Sequence, residues 1–128
     1  RAAGTAAERI DDAELIIGEL GANAEVHAAP PYELRVSQPA TGPVRFELAD
    51  SGPGVARIHA VFEHLRTTPD LEPLLMAETG RGLLLTYLLS GGDCHVHPTT
   101  LRHTATPGKA VGFALPGVRL IPPAPGGR

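Results

Sequence analysis

The sequence predicts an α+β domain of two layers, a mainly antiparallel sheet with helices on one face. Three observations lead there. A long segment near the start carries apolar residues at helical spacing, two alternating segments flank a Gly/Pro-bearing turn directly after it, and a second helix-then-strands block closes the chain. With 128 residues the chain suits one domain. Folding at this size buries about two-thirds of the chain's surface without staples. The single Cys94 excludes an internal disulfide and fits a reducing cytoplasm. A formal net charge of -3, from 11 Lys plus Arg against 14 Asp plus Glu, argues against direct nucleic-acid binding and against an anionic membrane. No stretch reaches the ~20 apolar residues of a membrane span. The 15 Gly and 13 Pro predict irregular connections.

Asp11 with Glu14 three residues later reads as a helix start, an N-cap carboxylate answered by a Glu at N3. Ala13, Ile16, Ile17, Leu20 and Ala24 then form one apolar face on a helix running to about Ala28, where Pro30-Pro31 stops it. Tyr32, Leu34 and Val36 alternate with polar residues, as do Val44, Phe46 and Leu48, which predicts an antiparallel strand pair. Asp50-Ser51-Gly52-Pro53-Gly54 is loop chemistry at a strand end. Ile58, Val61, Phe62 and Leu65 mark a short amphipathic helix inside an excursion of some 25 residues, a length typical of lids and binding loops. Leu83 to Leu89 reads as a buried helix after a Gly turn, ended by Gly91-Gly92. Short strands are expected at Cys94 to His97 and Leu101 to Thr104, and Pro107-Gly108 turns into a last strand through Val111, Phe113 and Leu115 that closes the sheet. These readings place a domain at residues 1–116 and a Pro/Gly-rich, mostly unstructured tail at 117–128.

Chemistry-bearing residues fall at three places. Glu19 and Asn23, four apart, share one side of the first helix at the rim of its apolar face. A carboxylate there can accept a proton and an amide oxygen can ligate a hard cation, although by itself the pair is an ordinary Glu and a rim Asn. Asp50 followed by Gly52 and Gly54 puts an acceptor beside backbone that can pass close to a ligand. Gly80 and Gly82 before a helix expose N–H groups at its positive end, an arrangement that favours phosphate. Neither loop is specific alone.

In that order, ELGANAEVHA (Glu19 to Ala28), FELADSGPG (Phe46 to Gly54) and ETGRGLLL (Glu78 to Leu85) resemble the N box and the first and second glycine boxes of the histidine-kinase-like ATPase superfamily, the Bergerat fold. A lid separates the last two. The chain looks most like the anti-sigma-factor serine/threonine kinase family over about Ile10 to Pro116. The resemblance implies that ATP and Mg²⁺ bind. Asn23 would ligate the metal, Glu19 would act as general base, and Asp50 would accept from the adenine amino group. Gly52 and Gly54 would pass the base, Gly80 and Gly82 would approach the phosphates, and Arg81 would add charge there. Base, cation ligand, purine acceptor and phosphate cradle are the parts that phosphoryl transfer needs.

The implied partners are a sigma factor, an anti-sigma-factor antagonist protein, or both, and homodimerisation is left open. Two other readings stand beside the kinase. One is a non-catalytic nucleotide- and partner-binding module of the same fold, and the other is the ATP-binding domain of a histidine kinase. Three departures bear on the choice. Gly108-Lys109-Ala110 brings no hydroxyl where the family's last strand usually has one, and Gly21-Ala22 stands in the N box where a branched residue and a hydroxyl are common. Against the family pattern, the first strand and most of the first helix are expected to be missing upstream of Arg1, which would uncover a sheet edge and part of the core.

His95 and His97 share a face if their stretch is a strand, and Cys94 and His103 are near in sequence, which makes a zinc site conceivable. The spacing matches no recognised structural zinc pattern, so these are read as solvent-facing histidines on an edge strand. His27 is read as a packing residue and Cys94 as an inert buried thiol.

Overall fold

Helix α1 spans Ala6–His27. A computed structural model describes residues 6–27, 30–67 and 78–118, with the side chains of 6–8, 21–27 and 78–81 outside that description. Asp11 is therefore not an N-cap: it lies exposed within α1, because the preceding Ala-rich residues are strong helix formers and carry the helix past it. Ala13, Ile16 and Leu20 are buried as their spacing requires. Arg9 donates to the Asp12 carboxylate at 3.1 Å and to the Leu89 carbonyl at 2.9 Å. The second bond places a positive charge on the last turn of a neighbouring helix, where the dipole favours it.

After Pro31 the chain turns into β1 (Tyr32–Ser37) and β2 (Arg45–Asp50), antiparallel with Leu34 opposite Leu48, as the two alternating segments predict. Gly54, at φ 117°, precedes α2 (Val55–Thr67), and its carbonyl accepts the first helical bond from the Ile58 N–H at 3.0 Å. Ile58, Phe62 and Leu65 are buried. The first half of the expected lid is thus a core helix, and the remainder, residues 68–77, lies outside the described residues.

Helix α3 (Glu78–Leu89) contains the apolar run, with Leu83 and Leu84 buried but Leu88 exposed, and ends at Gly91 (φ 66°) and Gly92 (φ 84°), the latter donating to the Tyr87 carbonyl at 2.8 Å. The expected pair of short strands is a single one, β3 (Cys94–Thr100), while residues 102–104 form a turn. Pro98 does not break β3, because an edge strand tolerates a missing N–H. The final strand, β4 (Pro107–Ala114), starts at the Pro-Gly pair that the sequence suggests as a turn.

The sheet order is β1-β2-β4-β3 with every pair antiparallel. The last strand therefore does not close the sheet as expected but enters its centre. A chain of Ala, Val, Gly and Phe, buried from Lys109 to Ala114, suits that position better than the His-bearing β3. The three helices among the described residues cover one face, packing on Phe46, Val111, Phe113 and Cys94. Phe46 and Phe113 stack with ring centroids 5.2 Å apart. Val118, assigned to the tail by the sequence reading, is buried and exchanges backbone bonds with Val44 (2.8 Å) and Leu115 (3.1 Å), so the packed domain extends past Pro116. On β1, Tyr32, Leu34 and Val36 stay exposed. No helix among the described residues is long and apolar enough to cross a membrane.

Candidate functional site

Strand alternation places Asp50 on the helix-facing side of β2, at its very end, and pairing sets it directly opposite Lys109 on β4. Both are buried, and the Lys109 ammonium donates to Asp50 Oδ1 at 2.8 Å. The Gly52 N–H donates to the same oxygen at 2.7 Å, an Asx-type turn that leads the chain off the strand. No hydrogen bond from the described residues reaches Oδ2.

Gly108 makes this arrangement possible. A Cβ at that position would stand 2.0 Å from the Asp50 carbonyl oxygen and 3.0 Å from Ser51 Cα, so only glycine lets the start of β4 run against the end of β2. In the sequence Gly108 reads as part of a turn, and Gly108-Lys109-Ala110 as a step without a hydroxyl. The ion pair they build was not foreseen, since it depends on a pairing between residues far apart in the chain.

The three sequence motifs lie on elements that touch: α1 packs on both α3 and β2. Glu19 is half-buried on α1 beside the fully packed Ile16 and Leu20, at the rim where the helical spacing puts it. Asn23 follows one turn later on α1, but its side chain lies outside the described residues, as does that of Arg81. Gly80 and Gly82 do not precede the helix as expected. Helix α3 starts at Glu78, so Gly80 falls in the first turn, whose N–H groups have no acceptor within the helix, whereas Gly82 falls beyond it. Gly82 has a packing role as well, its carbonyl accepting from the buried Thr86 hydroxyl at 2.7 Å.

The opposite face of the sheet holds a second concentration of ionisable groups. Glu47 on β2 and His95 on β3 both pair with Gly112 on the intervening β4, and His97 lies two residues further along the same face. Glu47 Oε2 is 3.1 Å from His95 Nε2 and 2.7 Å from His97 Nε2. Burial alone would raise the Glu47 carboxyl, but the hydrogen bonds from His97 and His95 outweigh it and hold the group below its ordinary value. His97 is pushed up in turn, chiefly by the Glu47 bond and also by the Pro98 carbonyl at its Nδ1.

Beside this cluster Arg35 donates to Glu33, Thr99 and the Thr100 carbonyl. Glu33 accepts from the backbone of Arg102 and His103. The 101–106 loop is thereby tied across the sheet, with Leu101 fully buried on Ala49 and Ala110. Cys94 points the other way, into the core, where burial raises its thiol above the ordinary range. It stands apart from the histidines, as does His103. No family model matches the chain, and no significant match is found among curated proteins or solved structures.

Proposed function

We propose that this chain is an ATP-binding regulatory protein with a Bergerat-type ATP site, an anti-sigma-factor serine/threonine kinase that works by partner switching in the cytoplasm. The observation that carries this reading is the Asp50 carboxylate. It is buried at a strand end, its Oδ1 is taken by Gly52 and Lys109, and its Oδ2 has no hydrogen bond from the described residues. That oxygen keeps acceptor capacity for an exocyclic amino group, since an ionised carboxylate accepts at both of its oxygens. The buried Gly52 and the left-handed Gly54 keep side chains away from the adjoining backbone. On this reading Asn23 would hold Mg²⁺ and Gly80, Arg81 and Gly82 would face the phosphates. Glu19 would take the proton from a hydroxyl of the protein substrate. ATP supplies the transferred phosphoryl group, and this chain's residues position it and compensate its charge.

A second reading, a binding module without catalysis, is favoured by the Asp50–Lys109 pair. The ammonium occupies one of the two carboxylate oxygens, and the buried Ala110 next to it offers no hydroxyl to support a ligand.

Nucleotide titration and phosphotransfer decide between them. The expected result is saturable, Mg²⁺-dependent ATP binding, with adenine preference lost in Asp50→Ala. Glu19→Gln should bind ATP within a few-fold of the parent while label transfer to a cognate antagonist falls ~100-fold or more, the worth of a positioned base. Binding without transfer by the parent would favour the module. Absence of saturable ATP or ADP binding at millimolar concentration would overturn the kinase reading and its nucleotide site.

A further inference from the structure

Glu47, His95 and His97 come from two strands that are not neighbours, and the residue between them explains how they meet. A Cβ at Gly112 would stand 2.5 Å from both Cε1 and Nε2 of His95 and 3.1 Å from the Glu47 Cγ. The imidazole and the carboxylate thus close over a bare stretch of the central strand. Ala110, opposite His97, continues that small-residue floor. The two imidazoles stack with centroids 5.5 Å apart and planes 15° from parallel, so both present Nε2 to the same carboxylate oxygen. One donor atom from each of the three residues falls within 4.8 Å of the others.

His97 carries a second piece of information. Its Nδ1 lies 2.9 Å from the Pro98 carbonyl, which can only accept, so Nδ1 bears the proton. In the neutral ring Nε2 then holds a lone pair, and that lone pair faces Glu47 Oε2 at 2.7 Å. Two acceptors at that distance require a cation between them, either a second proton on the ring or a metal ion. A backbone carbonyl fixing Nδ1–H while Nε2 is left for coordination is the usual support of a metal-bound histidine.

We propose that Glu47, His95 and His97 form a binding site for a divalent transition-metal ion of the Zn²⁺ class on the outer face of the sheet. Two imidazole nitrogens and one carboxylate oxygen are a borderline donor set that suits Zn²⁺ and is poor for Mg²⁺ or Ca²⁺, which prefer oxygen. Ligand atoms at ~2.0–2.1 Å from a tetrahedral ion lie roughly 3.3 Å apart. The separations of 2.7 and 3.1 Å from Glu47 Oε2 fall a few tenths of an ångström short of that spacing, and the third, between the two imidazoles, lies within 4.8 Å. All three side chains are partly open to solvent, which gives the ion an entry path and leaves a fourth position for water. The ion would tie β2 to the edge strand β3 across β4. Its face is opposite to that of Asp50, so the site is independent of the nucleotide reading.

The test uses the full chain, freed of metal, titrated with Zn²⁺ calorimetrically and with Co²⁺ by its visible absorption. One Zn²⁺ per chain, tetrahedral-type Co²⁺ bands and a higher thermal midpoint with Zn²⁺ are expected, while Mg²⁺ does not compete. Affinity should fall by about tenfold or more in each of Glu47→Gln, His95→Ala and His97→Ala, with unchanged far-ultraviolet dichroism as the control for folding. Cys94→Ser and His103→Ala should bind as the parent does. Failure of the parent to bind Zn²⁺ at micromolar concentration, or unchanged affinity in a His95→Ala/His97→Ala double variant, would overturn the proposal.

Discussion

On the helix side of the sheet, β2 and β4 present Phe46, Leu48, Val111 and Phe113 to three helices, whereas one residue along each strand the outer face presents Glu47, Ala49, Ala110 and Gly112. The same backbone is used in two ways. Large side chains on the inner face fill the space between layers, so stability there comes from excluded water and close packing. Small side chains on the outer face leave room above the central strand, and polar groups from the flanking strands enter it and pair. At the strand ends the contrast breaks down, because Asp50 and Lys109 put a buried charge pair on the apolar side. Departures of this kind mark the places where a sequence is doing something besides folding.

Substitutions on the two faces should therefore differ in size and kind. The largest effect is expected for Phe113→Ala, which removes a fully packed ring from its stack on Phe46. Urea denaturation should show a loss of about 3–5 kcal/mol. A loss near 1 kcal/mol would mean that the two rings are not the centre of the core.

Next comes Lys109→Met, which leaves the Asp50 carboxylate buried without its cation. The expected cost is about 3 kcal/mol, with part of it regained in an Asp50→Asn/Lys109→Met double variant, because the penalty lies in the unpaired charge rather than in a lost attraction. Equal stability of the single and double variants would argue that the pair is solvated.

The smallest effect is expected for Gly112→Ala on the outer face. The added methyl displaces the His95 ring, a partly exposed side chain that can move, so stability should stay within about 1 kcal/mol of the parent. Zn²⁺ affinity, measured alongside, should drop, since the Glu47–His95 contact depends on that gap. Destabilisation comparable to that of Phe113→Ala would show that the outer face is as tightly packed as the inner one.

Much of the element pattern was legible in the residues. Alternation at Tyr32, Leu34 and Val36 and at Phe46 and Leu48 gave the antiparallel pair, and helical spacing at Ile58, Phe62 and Leu65 gave α2. Errors occurred where a local signal competed with context. Asp11 looks like a cap until the helix-forming residues before it are counted, and Pro98 looks like a strand end until β3 proves to be an edge. Within the candidate nucleotide site, Asp50, Gly52 and Gly54 were legible as a strand end followed by a permissive loop. The Lys109 partner was not, because nothing local to Asp50 announces it.

Glu47 shows the limit most clearly. It lies 48 residues before His95, and in sequence it is one polar position in an alternating strand. The two histidines were visible as a same-face pair, but their third partner appears only when β4 is known to sit between β2 and β3. Knowledge of that order would have drawn attention to Gly112, the one position on the path where a side chain would block the contact.

The sequence by itself determined the class of the fold and the buried faces of α2 and β2, because periodicity and side-chain chemistry are local and act before any long-range contact forms. Only the tertiary structure decided which strands are neighbours. Strand order and register bring residues from distant parts of the chain to within hydrogen-bond distance, and the last strand's place at the centre of the sheet created both the Asp50–Lys109 pair and the Glu47–His95–His97 cluster. Pairing is chosen by the global fit of apolar faces and small-residue gaps, a quantity that no window of sequence contains.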